Sequence, residues 1–203
     1  MLDPKREHPR IAAVVLAAGM STRMGANKLL AEIAGEPLVR RVVRSAETSL
    51  ARPVVVVTGY EHERVGAAVA SAECTLVHNP AFRDGLSTSL STGIRAVAGC
   101  DGAIILLGDM PAISSSLIDR MISAFNPRDG RTICLATFNG RRGNPVLFDR
   151  SFFTELQAIS GDIGARQIIE DNRTLVCTIE GNNDAPLVDI DTPEALARFV
   201  DCL

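Results

Sequence analysis

The segment Ala17-Ala18-Gly19-Met20-Ser21-Thr22-Arg23-Met24-Gly25-Ala26-Asn27-Lys28 gathers residue types that bind phosphate. Glycine and alanine let the backbone approach a ligand closely, and successive N–H groups can point at phosphate oxygens. Arg23 and Lys28 add positive charge at the same place. The chain holds 19 Arg but only two Lys, and Lys5 stands near its start, so Lys28 is the one lysine of the body. Where arginine is the default cation, a lone lysine marks a position suited to a compact ammonium. A surface charge left by chance is the alternative. The spacing matches neither GxxxxGK[ST] nor GxGxxG, which argues against a P-loop NTPase and against a dinucleotide-binding loop. A loop whose cations face water is the bland reading of the same residues.

Acidic residues supply the complementary chemistry. Asp109 follows the apolar run Gly102–Leu107 in the string Gly108-Asp109-Met110-Pro111. A carboxylate at the C-terminal edge of a strand is well sited to hold a hard cation such as Mg²⁺ against phosphates. Asp189 and Asp191 alternate with Val188 and Ile190, so an extended backbone puts both on one face. Asp191 also precedes Thr192-Pro193-Glu194 and has a capping role open to it. Three further segments carry polar groups. Ser87 lies in Gly85-Leu86-Ser87-Thr88-Ser89-Leu90, where hydroxyls contact a base or ribose or cap a helix. Arg142 and Asn144 lie in the basic turn Arg141-Arg142-Gly143-Asn144-Pro145. Asp162 and Arg166 lie in Gly161-Asp162-Ile163-Gly164-Ala165-Arg166.

These residues need a frame. Continuous apolar runs at 11–16, 53–58 and 102–107 read as buried strands, with shorter strands near 74–78, 132–137, 145–148 and 174–179. Helical spacing appears at 37–46, 61–71, 87–98, from Ser114–Ser116 to about Phe125, at 150–158 and 162–171, and after Thr192-Pro193. Alternating strands and helices predict an α/β fold, one three-layer sandwich with a mostly parallel sheet and a local antiparallel piece near 132–148. Ligands in such sheets gather beyond the C-terminal strand ends, which singles out the loops after Leu16, Thr58 and Leu107. Residues 1–9 read as a flexible tail and 10–203 as one domain.

Composition narrows the function classes. The net charge of −3, with both signs scattered along the chain, argues against nucleic acid or a membrane surface as the main partner. Cys74, Cys100, Cys134, Cys177 and Cys202 are odd in number and none sits at metal-ligand spacing from another, which argues against a disulfide framework or zinc site. With no signal-like N-terminus and no long apolar run, a cytoplasmic location is expected.

The string LAAGMSTRMGANK resembles the LAAGxSxRMGxxK signature of the MobA-like NTP transferases, and among them the molybdenum cofactor cytidylyltransferases. The resemblance runs from Ile11 to the C-terminal helix and implies a Rossmann-like, nucleotide-diphospho-sugar-transferase-like fold with Mg²⁺ as cofactor. It implies that Ala17, Ala18, Gly19, Arg23, Lys28, Ser87 and Asp109 bind the nucleotide, with Arg23, Lys28 and Asp109 catalytic. GDMP and DIDTPE match family segments, implying Asp109 and Asp191 as metal ligands, with Asp189 as second choice for the latter. RRGNP resembles the family's RxGHP with Asn144 in place of histidine, and GDIGAR matches GDxGAR. Arg142, Asn144, Asp162 and Arg166 are thereby implied in acceptor binding. The implied substrates are CTP and a molybdopterin-type cofactor, with a molybdoenzyme or its chaperone as onward partner. Ala17-Ala18, where guanylyl relatives tend to carry Gly-Gly, favours CTP. The competing readings are a GTP-dependent guanylyltransferase on the same acceptor, a cytidylyltransferase on a sugar or polyol phosphate, and a non-catalytic nucleotide-binding or cofactor-delivery module.

Overall fold

The first apolar run folds as β1 (Ile11–Ala17), buried along its whole length. Alternation sends Ile11, Ala13, Val15 and Ala17 into one core and Ala12, Val14 and Leu16 into another, so the strand is covered on both faces. The protein is described by a computed structural model covering residues 9–21, 24–161 and 165–201. A short hairpin, β2 (Glu32–Ile33) with β3 (Glu36–Pro37), leads into α1 (Leu38–Glu47). Then follow β4 (Val54–Thr58), α2 (His62–Ala68), β5 (Thr75–His78), α3 (Leu86–Ala96), β6 (Gly102–Leu107) and α4 (Ser115–Ala124). The second half holds β7 (Ile133–Phe138), β8 (Arg141–Asp149), α5 (Phe153–Ala158), α6 (Arg166–Asp171), β9 (Val176–Glu180) and α7 (Pro193–Asp201).

The main sheet has seven strands in the order β5-β4-β1-β6-β8-β7-β9. β1 pairs in parallel with β4 on one side and β6 on the other, and β4 pairs in parallel with β5. Only β8 runs antiparallel, against both β6 and β7, while β9 returns parallel to β7. That is the expected antiparallel piece, inserted as a single strand. α1, α4 and Val65 of α2 cover one face, and α3, α5 and α6 cover the other. The chain is thus a three-layer α/β sandwich. α3 lies close on β1 because Gly93 has no side chain: a Cβ there would stand 2.3 Å from Val14 Cγ1.

One local expectation is corrected. The basic turn read at 141–145 is replaced by a tighter one at Asn139 and Gly140, both in left-handed backbone (φ 50° and 71°). Asn-Gly suits such a two-residue hairpin turn. Arg141, Arg142 and Asn144 therefore belong to β8. The N-terminal tail through residue 8, together with Arg23 and Asp162, lies outside the described residues.

Candidate active site

β1 and β6 are parallel neighbours whose chains leave the sheet on the same edge, between the two halves of the strand order. The loops after Ala17 and Leu107 therefore meet at a topological switch point. Gly108 N–H donates to the Leu16 carbonyl at 2.9 Å, tying the start of one loop to the end of the other strand. A cleft of about 470 Å³ opens there. Ala18, Gly19, Lys28, Asp109, Asp189 and Asp191 line it.

Lys28 opens a single 3₁₀ turn, Lys28–Leu30, capped by Asn27, whose Oδ1 accepts from Leu29 N–H. Ser21 Oγ accepts from Lys28 N–H at 3.1 Å and closes the loop on itself. The ammonium reaches two carboxylates 81 and 163 residues away in sequence: Asp109 Oδ2 at 2.6 Å and Asp191 Oδ1 at 2.5 Å. Its side chain is only 12% exposed, so the pair of contacts works in a low-dielectric setting. Burial pulls the Lys28 pKa down, but the charges and hydrogen bonds of Asp109 and Asp191 outweigh burial and hold it above its ordinary value. Lys28 is therefore cationic across the neutral range.

A backbone bond sets the two acids together. Ile190 N–H donates to the Asp109 carbonyl at 2.9 Å, so the 188–191 segment lies along the loop after β6. The 3₁₀ turn Ala185–Leu187 precedes that segment and rests against β8 at Gly143, where a Cβ would stand 2.0 Å from the Pro186 carbonyl oxygen. Gly143 is thus what lets the acid-bearing segment sit down. Asp109 Oδ1 is buried without a hydrogen-bond partner. A buried carboxylate oxygen with no donor fits a cation ligand, and Mg²⁺ takes few protein carboxylates. Among the described residues no group of three or more His, Cys, Asp or Glu gathers as a metal cage. Two carboxylates with one orphaned oxygen suit a metal that shares its shell with phosphates.

The opposite wall comes from 82–89. Asn79, 1% exposed, donates through Nδ2 to Thr88 Oγ1 at 2.9 Å and Ser89 Oγ at 3.0 Å, and its Oδ1 accepts from Ala81 N–H. This pins the 80–85 loop to the first turn of α3. Phe82, Arg83 and Ser89 thereby line the cleft, with the Arg83 guanidinium 5.6 Å from the Phe82 ring centre. The sequence reading did not single out Phe82 and Arg83, and had Ser89 only as one hydroxyl of the segment 85–90. The Asn79-Pro80 pair and Gly85 were the available signals. Ser87 is buried near the start of α3, where its N–H donates to the Gly161 carbonyl; Ser89 faces the cleft instead. Ala17 is packed in the core at the end of β1, and Ala18 is the first residue of the loop to line the cleft.

A second cleft of about 460 Å³ adjoins the first and shares Leu16, Leu86 and Leu107 with it. Arg142, Asn144 and Arg166 line this second cleft. Glu170 ion-pairs with both Arg142 and Arg173. The hydrogen bond from Arg173, then that from Arg142, holds the Glu170 carboxyl below its usual range.

Comparison with known proteins places the chain in a family. Residues 13–176 match the family model of the MobA-like NTP transferase domain. The chain is 30% identical to purine catabolism protein PucB of Bacillus subtilis, covering 92% of this chain and 94% of that one. It is 25% identical to nicotine blue oxidoreductase of Paenarthrobacter nicotinovorans, covering 95% and 97%. It is 27% identical to the molybdenum cofactor cytidylyltransferase of Escherichia coli, covering 91% and 92%. A solved nucleotidyl transferase from Methanothermobacter thermautotroptrophicus superposes with a TM-score of 0.83 at 24% identity, covering 95% and 97%. With a cleft of about 470 Å³ at the β1–β6 switch point and a family match over most of its length, the chain is a nucleotidyltransferase that belongs to the MobA-like NTP transferase family.

Proposed function

We propose that this nucleotidyltransferase moves CMP from CTP to the terminal phosphate of a molybdopterin-type cofactor. One observation carries the reading. The cleft holding Lys28, Asp109 and Asp191 shares its wall with a cleft lined by Arg142, Asn144 and Arg166. A nucleoside triphosphate in the first and an anionic acceptor in the second bring donor and acceptor phosphates face to face.

In the reaction an acceptor phosphate oxygen bonds to the α-phosphorus of CTP, the bond from that phosphorus to the α–β bridging oxygen breaks, and pyrophosphate leaves. The attacking phosphate is already anionic at neutral pH, so no side chain has to remove a proton. Lys28, and Arg23 of the same loop, stabilise the leaving pyrophosphate. Asp109 and Asp191 would hold the magnesium ion, which supplies charge neutralisation at the phosphates. Ala18 and Gly19 leave room for the triphosphate against the backbone, and Arg142 and Arg166 attract the acceptor's charge. Positioning and electrostatics thus carry the catalysis.

The cytosine preference rests on Ala17-Ala18 and on the molybdenum cofactor cytidylyltransferase relative. The test is a competition between equal CTP and GTP with the acceptor and Mg²⁺, read by mass spectrometry. A cytidylyl dinucleotide product is expected. A guanylyl product makes the chain a guanylyltransferase. Absence of pyrophosphate from all four NTPs with this acceptor removes molybdopterin as the substrate.

A further inference from the structure

Asn79 lies directly after β5, and Thr88 and Ser89 lie in the first turn of α3. The Asn79 side chain is buried, and three hydrogen bonds fix which way round its amide sits. A backbone N–H can only donate, so the atom that meets Ala81 N–H at 3.1 Å is the amide oxygen. The amide nitrogen then faces Thr88 Oγ1 and Ser89 Oγ and gives one hydrogen to each.

A hydroxyl that accepts an amide hydrogen must send its own hydrogen elsewhere. Thr88 sends it to the carbonyls of Ala81 and Gly85, each at 2.9 Å. Ser89 has no such outlet. Among the described residues its hydroxyl meets Asn79 Nδ2 and no acceptor. Ser89 is 4% exposed and lines the first cleft together with Arg83 and Gly85. A buried hydroxyl hydrogen is costly to leave unpaired, and the cleft is where an acceptor can reach it. With the amide as it sits, Ser89 meets a ligand as a donor. An amide turned the other way would offer the hydroxyl an oxygen, draw its hydrogen inward and leave the cleft a lone pair.

We propose that Asn79 is a positioning residue: it sets Ser89 as a hydrogen-bond donor, so that the nucleotide atom met there carries a lone pair, as a base carbonyl, an unprotonated ring nitrogen or a ribose oxygen does. This rests on a nucleotide filling the first cleft and adds the polarity with which it is recognised. The test is binding of CTP, or of GTP if that binds more tightly, to the full chain with Mg²⁺ and no acceptor, read by calorimetry at pH 8. Wild type, Ser89→Ala, Asn79→Asp and the double variant are compared. An ionised carboxylate accepts from Ala81 N–H as the amide does, but it also accepts from Ser89 and so turns the hydroxyl round. Ser89→Ala should bind the nucleotide about tenfold more weakly. Asn79→Asp should lose about tenfold or more while Ser89 is present, and less than about twofold once Ser89 is replaced by alanine. A role confined to holding the 80–85 loop, or repulsion between the new charge and the triphosphate, gives the same loss in both backgrounds, and that result overturns the proposal. Wild-type affinity in Ser89→Ala overturns it as well. Should Asn79→Asp fail to fold, Asn79→Ala takes its place: it frees the hydroxyl to turn toward the ligand, and a tenfold loss that persists in the Ser89→Ala background overturns the proposal. A wild-type chain that binds neither nucleotide overturns the nucleotide reading itself, and this role with it.

Discussion

At the scale of residues, the molecule turns on one ammonium shared by two carboxylates. Lys28 was conspicuous in the sequence because arginine is otherwise the cation of this chain, and Asp109 because it ends an apolar strand. That Lys28 would bind the acids directly was not legible, since no spacing rule links positions 81 and 163 residues apart. A carboxylate among other acids should gain stability on neutralisation, but the Lys28 contact reverses that expectation for Asp109→Asn. Lys28→Met leaves two acids facing each other without their cation. It should cost about 1–3 kcal/mol, less than a fully buried pair because all three groups keep some exposure. A melting curve without divalent metal should show that loss, and added Mg²⁺ should recover part of it as cation replaces cation. Turnover of Lys28→Met should fall ~100- to 1000-fold. A second residue gives a pH prediction. Burial, then the neighbouring Cys177, pushes the Cys134 thiol up to about 12 from its usual 9.0, with nearby Arg131 opposing. A raised thiol pKa favours the neutral folded form. Its contribution is intact below pH 9 and fades as pH climbs toward 12. Iodoacetamide at pH 8 should therefore leave Cys134 unlabelled in the native protein and label it in urea, as read by peptide mass spectrometry.

At the scale of elements, β1, β4 and β6 were readable as uninterrupted apolar runs because both their faces are covered. The helices were readable from their apolar stripes. What sequence periodicity could not give was pairing: β8 lies between β6 and β7 and runs against both. The basic turn read at 141–145 was misplaced for a related reason. Asn139-Gly140 suffices to turn the chain, so Arg141 and Arg142 continue as strand, and Arg142 and Asn144 reach the second cleft from β8. The β2–β3 hairpin was too short to leave a periodic signal. Asp189 and Asp191 were expected to share a face, and both line the first cleft, although their segment joins no sheet. Their position depends on the contact between Gly143 and Pro186. Gly143→Ala drives a methyl group into the Pro186 backbone carbonyl, and should cost about 1–3 kcal/mol. At this chain length each kcal/mol lowers the melting temperature by about 2–4 °C. Because the displaced turn leads to Asp191, the same variant should also need more Mg²⁺ for half-maximal pyrophosphate release. A normal Mg²⁺ requirement in a destabilised Gly143→Ala would mean that the turn does not position the acid.

At the scale of the whole molecule, sheet topology decides what the residues can do. A strand order that diverges at β1 and β6 opens a cleft at one edge, and the single antiparallel strand β8 carries Arg142 and Asn144 to the neighbouring cleft. The three-layer arrangement was legible from the alternation of elements. The adjacency of the two clefts was not, because it arises from strand order. Among the described residues no helix is long and apolar enough to cross a membrane. The central claim is that Asp109 serves a metal-dependent transfer and does not mainly hold the fold together. Its carboxylate has one oxygen on Lys28 and the other without a hydrogen-bond partner, which leaves that oxygen open to a cation. Asp109→Asn keeps the shape and removes the charge. The measurement is pyrophosphate release from CTP and the acceptor across a Mg²⁺ titration, for wild type and Asp109→Asn, with a melting curve of each. The account predicts a variant that melts within a few degrees of wild type and releases no pyrophosphate at any Mg²⁺ concentration that supports wild-type turnover. Normal release by Asp109→Asn at ordinary Mg²⁺ would contradict the metal assignment, and a variant that fails to fold would show that Asp109 is structural.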